Sequence, residues 1–449
     1  MKNKVILWFL MIFILFAGII ACTQYDNEND FRISTLDGGR SARIIGYVGT
    51  KQTIRIPPRI QGMNVTEIGD GAFENKEIIS VTIPSSVTSI GNNAFAGNFL
   101  TNINISNNVI FIGDSAFEGN QLTNVSIPSS VINIGVDAFA GNSPSIDVTL
   151  VMSNEVIIYT AGSIGPGSNG RAVIWRNGNP WILSNSQSFA SSVYVSDNSI
   201  YVAGSIGSGN NSRATIWKNG VAQTLSNTQS EARSVFVSGN DVYVVGEDNR
   251  KATVWINGAA NTLGNDIESF AWSVYVSGND VYVAGYASNV EGGGFWNRRA
   301  TVWINGVAQT LSNSQSEARS VYVSGNDVYV VGDDNNRATV WINSEVNTFG
   351  DTGSHPWSIY VSGSDVYMAG YVYEGRLGIW GNQRASVWIN GEANTLNNTT
   401  SMAYSIFVLG SDVYVVGNVL NEGATVWING DAHTLSHESG ATISSVFVR

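Results

Sequence analysis

The residues best placed to recognise a ligand in this 449-residue chain are aromatics and arginines that break a repeat. Of thirteen tryptophans, Trp8 lies in an N-terminal apolar run, Trp181 in a strand-like segment, and seven recur at one repeat phase. Trp272, Trp296, Trp357 and Trp380 do not. Arg233, Trp272, Arg319, Trp357, Tyr404 and Ser444 share another phase, just before a recurring strand of the type SVYVSG. Two long insertions, Tyr286–Arg299 and Tyr371–Arg384, add Phe295, Trp296, Arg298, Tyr371, Tyr373 and Trp380. Aromatic faces beside guanidinium groups suit planar or anionic groups such as sugar rings, carboxylates or sulfates. Arg233, Trp272, Phe295, Trp296, Arg298, Arg319, Trp357, Tyr371, Tyr373, Trp380 and Tyr404 are therefore the candidate ligand-binding set. The competing reading has these aromatics cap the core at loop ends.

Signals for chemistry are poor. His433 and His437 are spaced i, i+4, but in strand and turn context that spacing does not bring two ligands together. The acidic turns GEDN and GDDN lack a calcium-loop pattern. No phosphate-binding glycine motif or nucleophile elbow is present. One cysteine excludes an intrachain disulfide and a multi-cysteine zinc site, and three histidines leave little for metal or acid–base work. No catalytic residue, metal or cofactor is expected. With 23 basic against 35 acidic residues, net −12, the chain lacks the basic footprint that nucleic acid requires. A regular set, Arg171, Arg213, Arg299, Arg337 and Arg384 with Lys251 in phase, reads as inter-blade ion pairing or solvation, with Glu231 and Glu317 as possible partners.

The elements that must position these residues come from two repeat periods behind an address segment. Lys2 and Lys4 precede an apolar run, Val5 to Ala21, the plan of a secretory signal. A retained membrane helix is the alternative. The sole cysteine follows Ile19-Ile20-Ala21, which resembles a bacterial lipobox. That resemblance implies a signal peptide over 1–21, acylation at Cys22 and a lipid anchor in the cell envelope, at the outer membrane or cell surface. Residues 22–42 read as a polar tether.

The first period is 22 residues. Ile68-Gly69, Ile90-Gly91, Ile112-Gly113 and Ile134-Gly135 are in step, as are Ala72-Phe73, Ala94-Phe95, Ala116-Phe117 and Ala138-Phe139. Each unit is too short to bury its own apolar residues, so stacking must turn each phase into a ladder. The motifs LTNVSIPSSVINIGVDAFAGN and SVTIPSSVTSIGNNAFAGN resemble the BspA-type leucine-rich repeats of bacterial surface proteins, over about 45–145. The resemblance implies a surface or secreted protein with a role in adhesion.

The second period is 38–48 residues, marked by Trp175, Trp217, Trp255, Trp303, Trp341, Trp388 and Trp427. Each copy reads as four strands: Arg233–Gly239 (A), Asp241–Gly246 (B), Ala252–Ile256 (C) and Ala260–Leu263 (D). The C–D turn is Asn-Gly in six copies and Asn343-Ser344 in the seventh, favouring a two-residue type I′ hairpin. Seven four-stranded units predict a β-propeller. The chain ends on one more copy of strand A, Ser444 to Arg449, placed to complete the blade near 156–184.

The predicted fold is mainly β: a leucine-rich repeat solenoid over 43–146, then a seven-bladed propeller over 147–449. Asp147 to Val151 also continues the 22-residue ladder, one residue late, and is assigned to the solenoid's last turn. The A–B and C–D turns share one face and are uniform, whereas length variation gathers on the other face, at the channel mouth. The expected function is non-enzymatic binding or adhesion to a host or matrix protein or glycan, with the membrane as the anchor's partner. A glycan-active enzyme at the channel mouth and a structural envelope protein are the rival readings.

Overall fold

A computed structural model describes residues 25–144, 146–150, 156–165, 169–288, 297–373, 383–436 and 440–449. Cys22 and the signal segment lie outside them, as do Phe295, Trp296 and Trp380.

The 22-residue period builds a solenoid. Phe73, Phe95, Phe117 and Phe139 stack with centroids 4.9, 5.4 and 5.5 Å apart, because each turn sets its ring directly over the last. Glu67-Ile68, Ser89-Ile90, Phe111-Ile112 and Asn133-Ile134 form a parallel ladder. Buried asparagines tie the turns together. Asn120 donates to the carbonyls of Phe95 and Phe117 at 2.9 and 3.0 Å and accepts from Leu100 N at 3.1 Å.

Two boundaries differ from the sequence reading. The tether expected over 22–42 contains a strand, Phe31–Leu36, antiparallel to Ser41–Tyr47. Phe31 is buried and packs on Tyr47 at 5.6 Å, covering an end of the stack that would otherwise face water. Asp147–Leu150 pairs in parallel with Asn124–Ile127, in keeping with its assignment to the solenoid's last turn, so the 146/147 boundary falls too early.

The second period builds seven antiparallel four-stranded sheets. Blade 1 consists of Ile158–Ile164, Arg171–Arg176 and Asn179–Ile182, completed by the C-terminal strand Thr442–Val448. Blades 2 to 7 begin with strands A at Ser188–Ser196, Ser230–Ser238, Glu268–Ser277, Ser316–Ser324, Ser354–Ser362 and Ser401–Leu409. At every C–D turn the asparagine has φ between 47 and 53° and the next residue between 70 and 94°, Ser344 included. These are type I′ values. The asparagine side chain also clasps the neighbouring turn: Asn257 accepts from Val242 N at 2.9 Å and donates to Asp241 at 2.8 Å, and Asn305, Asn343, Asn390 and Asn429 repeat this.

The seven repeat-phase tryptophans are 0–1% exposed and pack between blades. Trp255, for example, sits among Ala203, Ile216 and Val235, and Trp175 among Tyr414, Val416 and Val426. Burying 150–250 Å² at about 25 cal/mol per Å², each contributes up to roughly 4–6 kcal/mol.

Two circuits close the ring. Ser192, Ser234, Ser273, Ser320, Ser358, Ser405 and Ser445 each accept a hydrogen bond, 3.2–3.3 Å long, from the backbone N–H of the next blade's strand A. Tyr194, Phe236, Tyr275, Tyr322, Tyr360, Phe407 and Phe447 form an unbroken circle of rings with centroids 4.7–5.1 Å apart. The solenoid meets blades 1 and 2 on the tight-turn face. Asn133 donates to Pro180 O at 2.9 Å, Arg176 to Val131 O at 2.8 Å, and the Asn219 amide to Val148 O. Ser199 stands in blade 2 where blades 3 to 7 carry the clasped aspartate, and the Asn219 amide donates both to Ser199 Oγ at 3.3 Å and to the solenoid carbonyl of Val148. The opposite face, with the channel mouth, is left open.

Candidate ligand-binding site at the channel mouth

The mouth residues arise from one defect repeated in every blade. Strand A of blade 3 pairs Ala232 with Gly246 and Ser234 with Val245, so Arg233 has no partner in the ladder. The same shift leaves out Ser191, Trp272, Arg319, Trp357 and Tyr404 in blades 2, 4, 5, 6 and 7. In blade 1 a shift between Ala161 and Gly162 leaves out Ser444. Each is the extra residue of a β-bulge, which re-aims its side chain out of the alternating pattern. These positions lie inside strand A, which begins three residues before Arg233, at Ser230 in blade 3, and continues through the bulge.

Strand B carries the complementary feature. Gly162, Gly204, Gly246, Gly285, Gly332, Gly370 and Gly417 face the bulges. A Cβ on Gly246 would press into the carbonyl oxygen of Glu231, with that carbonyl's carbon at 2.9 Å and Ala232 Cα at 3.0 Å. Only glycine lets the bulged strand approach this closely.

The seven bulge residues line one cavity of about 380 Å³, with Phe189, Asn418, Thr442 and Ile443. One residue further along strand A lies the serine belt, and two residues beyond the serine lies the aromatic circle. Trp272, Trp357 and Tyr404 make a continuous wall: Trp357 meets Trp272 edge-on at 6.0 Å and Tyr404 at 5.9 Å. The small side chains of Ser191 and Ser444 leave the open space beside that wall.

Two bulge residues are arginines, and each is charge-compensated. Arg319 Nη2 lies 2.5 Å from Asp333 Oδ2 and 3.6 Å from Glu317 Oε2, with its guanidinium 4.2 Å from the Trp357 ring. Its side chain is 9% exposed. Burial would weaken its proton, but Asp333 and Glu317 outweigh this and push its pKa up. Its Nε and Nη1 are sealed from water without a hydrogen-bond partner, as are Arg233 Nε and the indole N–H groups of Trp272 and Trp357. The framework Trp217, Trp255, Trp303, Trp341 and Trp427 share that lack, so the arginine atoms are the distinctive ones. Arg233 pairs with Glu231 and lies 5.3 Å over Trp272 and 5.4 Å over Phe270. Burial raises the pKa of Tyr404 and keeps its phenol protonated.

The candidate set divides here. Arg233, Trp272, Arg319, Trp357 and Tyr404 come together at the cavity. Arg298, Tyr371 and Tyr373 lie in a second layer around Arg319. Arg298 pairs with Glu317 over the Tyr286 ring, and Tyr371 and Tyr373 flank His355 at 5.0 and 5.6 Å. Glu231 and Glu317 pair with Arg233, Arg298 and Arg319, not with the regular arginines at the start of strand C. Arg213 and Arg299 of that set donate to backbone carbonyls instead.

His355 and Asp333 were not singled out from sequence, nor was Ser191. His355 Nδ1 lies 2.9 Å from Asp333 Oδ1, and both residues are buried. The available signal was substitution within the repeat, His355-Pro-Trp where blades 3 and 5 read Glu-Ala-Arg. Among the described residues, no group of three or more His, Cys, Asp or Glu is placed to hold a metal ion.

Residues 54–160 match the family profile of the BspA type leucine rich repeat region, in six copies. The solenoid is thus similar to BspA-type leucine-rich repeats, and the matched range runs on into the first strand of blade 1, Ile158–Ile164. No curated protein matches the chain. Among solved structures, a leucine-rich repeat protein of T. pallidum is 24% identical over 26% of this chain and 67% of that one, with a TM-score of 0.24. A leucine-rich repeat protein from Bacteroides capillosus is 27% identical over 27% of this chain and 95% of that one, also with a TM-score of 0.24. A puromycin-hydrolyzing peptidase of Mycobacterium tuberculosis is 13% identical over 65% of this chain and 52% of that one, with a TM-score of 0.45.

Proposed function

We propose that this protein is a lipid-anchored surface binding module that captures a protein or glycan ligand through the solenoid and the variable face of the propeller. The observation that carries this reading is the cavity itself. All seven blades turn their one unpaired strand-A residue to the same cavity, and those residues vary (two serines, two arginines, two tryptophans and a tyrosine) while the surrounding framework repeats. A position needed only for packing would repeat with the framework. The BspA-type region adds a second binding surface, and acylation at Cys22 would hold both at the cell envelope.

A glycan-active enzyme is the second reading, favoured by the Asp333–His355 pair. Against it, Asp333 is already shared between His355 and Arg319, and neither Asp333 nor His355 lines the cavity.

The test is an array of glycans and matrix proteins probed with the wild-type chain and a Trp272→Ala/Trp357→Ala variant. The proposal expects at least one partner whose signal falls tenfold or more in the variant. Identical profiles would remove the channel mouth as the binding face. Radiolabelled palmitate incorporation lost in Cys22→Ser checks the anchor.

A further inference from the structure

We infer that the channel-mouth cavity takes a single neutral pyranose residue, stacked on the Trp272–Trp357–Tyr404 wall with its hydroxyl groups turned to Ser191, Ser444 and Asn418. The inference rests on the mouth being a binding site and names the ligand class. Three observations lead to it.

The first is the shape of the chemistry. The wall is aromatic and continuous, while the other side of the cavity is Ser191, Thr442, Ser444 and Asn418. One apolar face opposed by hydroxyl and amide groups matches a pyranose, whose axial C–H face is apolar and whose edge is ringed by hydroxyls. A cavity of about 380 Å³ lies at the low end of small-molecule sites, about 300–1,000 Å³. A volume of this order accommodates a single sugar ring.

The second is the charge balance, which decides against an acidic sugar. Around the mouth stand three guanidinium groups, Arg233, Arg298 and Arg319, and four carboxyl groups, Glu231, Glu247, Glu317 and Asp333. The nearby Arg250 is paired with Glu268. Among the described residues around the mouth, each of these three guanidinium groups is already engaged by a carboxylate, and the chain as a whole is net −12. An anion would enter a site whose cations are already engaged, and would meet the field of those carboxylates.

The third is the donor excess. Arg319 Nε and Nη1 and Arg233 Nε are buried without a hydrogen-bond acceptor. All are donors. The Trp357 ring lies 4.2 Å from the Arg319 guanidinium, and both residues line the cavity. Sugar hydroxyl or acetamido oxygens supply acceptors without bringing charge. The site's electrostatic need is for neutral acceptors.

The experiment uses the purified full-length chain and matched ring pairs: methyl glucoside, methyl galactoside and N-acetylglucosamine against glucuronate and galacturonate, with a tripeptide bearing a free carboxylate as a further probe. Saturation-transfer NMR and indole fluorescence report binding at low and high salt. At least one neutral sugar should bind tenfold or more tightly than its uronate, with less than a twofold change in Kd between the two salt concentrations. Binding should drop at least tenfold in Trp357→Ala and in Ser444→Trp, which fills the open side without touching the wall. Preferred binding of a uronate or the peptide, lost in both variants, would overturn the neutral-sugar assignment and leave the mouth as a binding site. Binding of any probe that neither variant alters would overturn both readings. Failure of every sugar to bind would overturn the inference alone.

Discussion

Replacing Gly246 with alanine tests whether the bulge is what builds the mouth. The new methyl would meet backbone on every side: the Glu231 carbonyl oxygen in overlap, its carbon at 2.9 Å and Ala232 Cα at 3.0 Å. No flexible side chain is available to yield, so the strands must part or the bulge must flatten. Overpacking of this kind costs about 1–3 kcal/mol, and backbone obstacles put this case at the upper end. Against it stands about 0.4–1 kcal/mol from restricting the unfolded chain. The net loss is then about 2 kcal/mol, which at about 2–4 °C per kcal/mol for a large domain lowers the propeller's melting temperature by about 4–8 °C. Scanning calorimetry measures it. Gly46→Ala in the solenoid is the control, since its nearest neighbour atom lies 3.8 Å away, on the flexible Arg32 side chain. Because Arg233 projects from this bulge over Trp272, Gly246→Ala should also shift the indole emission. A Gly246→Ala protein that melts with the wild type, with unchanged fluorescence, would refute the account of why strand B carries glycine.

Asn120→Ala removes the amide that accepts from Leu100 N and donates to the Phe95 and Phe117 carbonyls. Leaving buried groups unpaired costs about 1–3 kcal/mol each, so urea denaturation should show a loss of about 3 kcal/mol or more, and Asn120→Asp, which lacks the donors, should not restore it. Glu247 has its pKa raised above 4.5, first by burial and then by Glu231. Its folded form therefore holds a proton more tightly than its unfolded form. The stability this confers is present below pH 4.5 and is lost as pH rises through the folded pKa. Glu247→Gln should accordingly be more stable than wild type at pH 7, with the gap closing below about pH 4.5 in pH-dependent thermal melts. A gap that persists at low pH would contradict it.

Architecture was legible in the chain because both halves are periodic. The 22-residue spacing of Ala-Phe and Ile-Gly pairs dictates a stack, since a ring such as Phe95 has nothing to bury against except its copies one turn away. Asn-Gly at the C–D turn specifies a left-handed pair of residues, and the exception Asn343-Ser344 is held in the same turn by its blade. The recurring tryptophans announce blade interfaces because nothing else explains one large aromatic per unit. Departures from the repeat also drew attention to Trp272, Trp357 and the arginines.

Long-range relations were not legible. A bulge shows in sequence only as one residue more than the ladder needs, and pairing decides which residue is extra. That choice rests on contacts such as Ala232 with Gly246, between strands, and on the serine belt, between blades. The Asp333–His355–Arg319 cluster joins residues from three strands that share no motif. Phe31 looked like tether because its burial depends on Tyr47 and Phe73, both beyond the turn that follows it. Local pattern carries information about what repeats, including the common phase of Arg233, Trp272, Arg319, Trp357 and Tyr404; closure of the ring adds contacts between different phases of neighbouring blades, such as Asp333 with His355, and these have no trace in spacing along the chain.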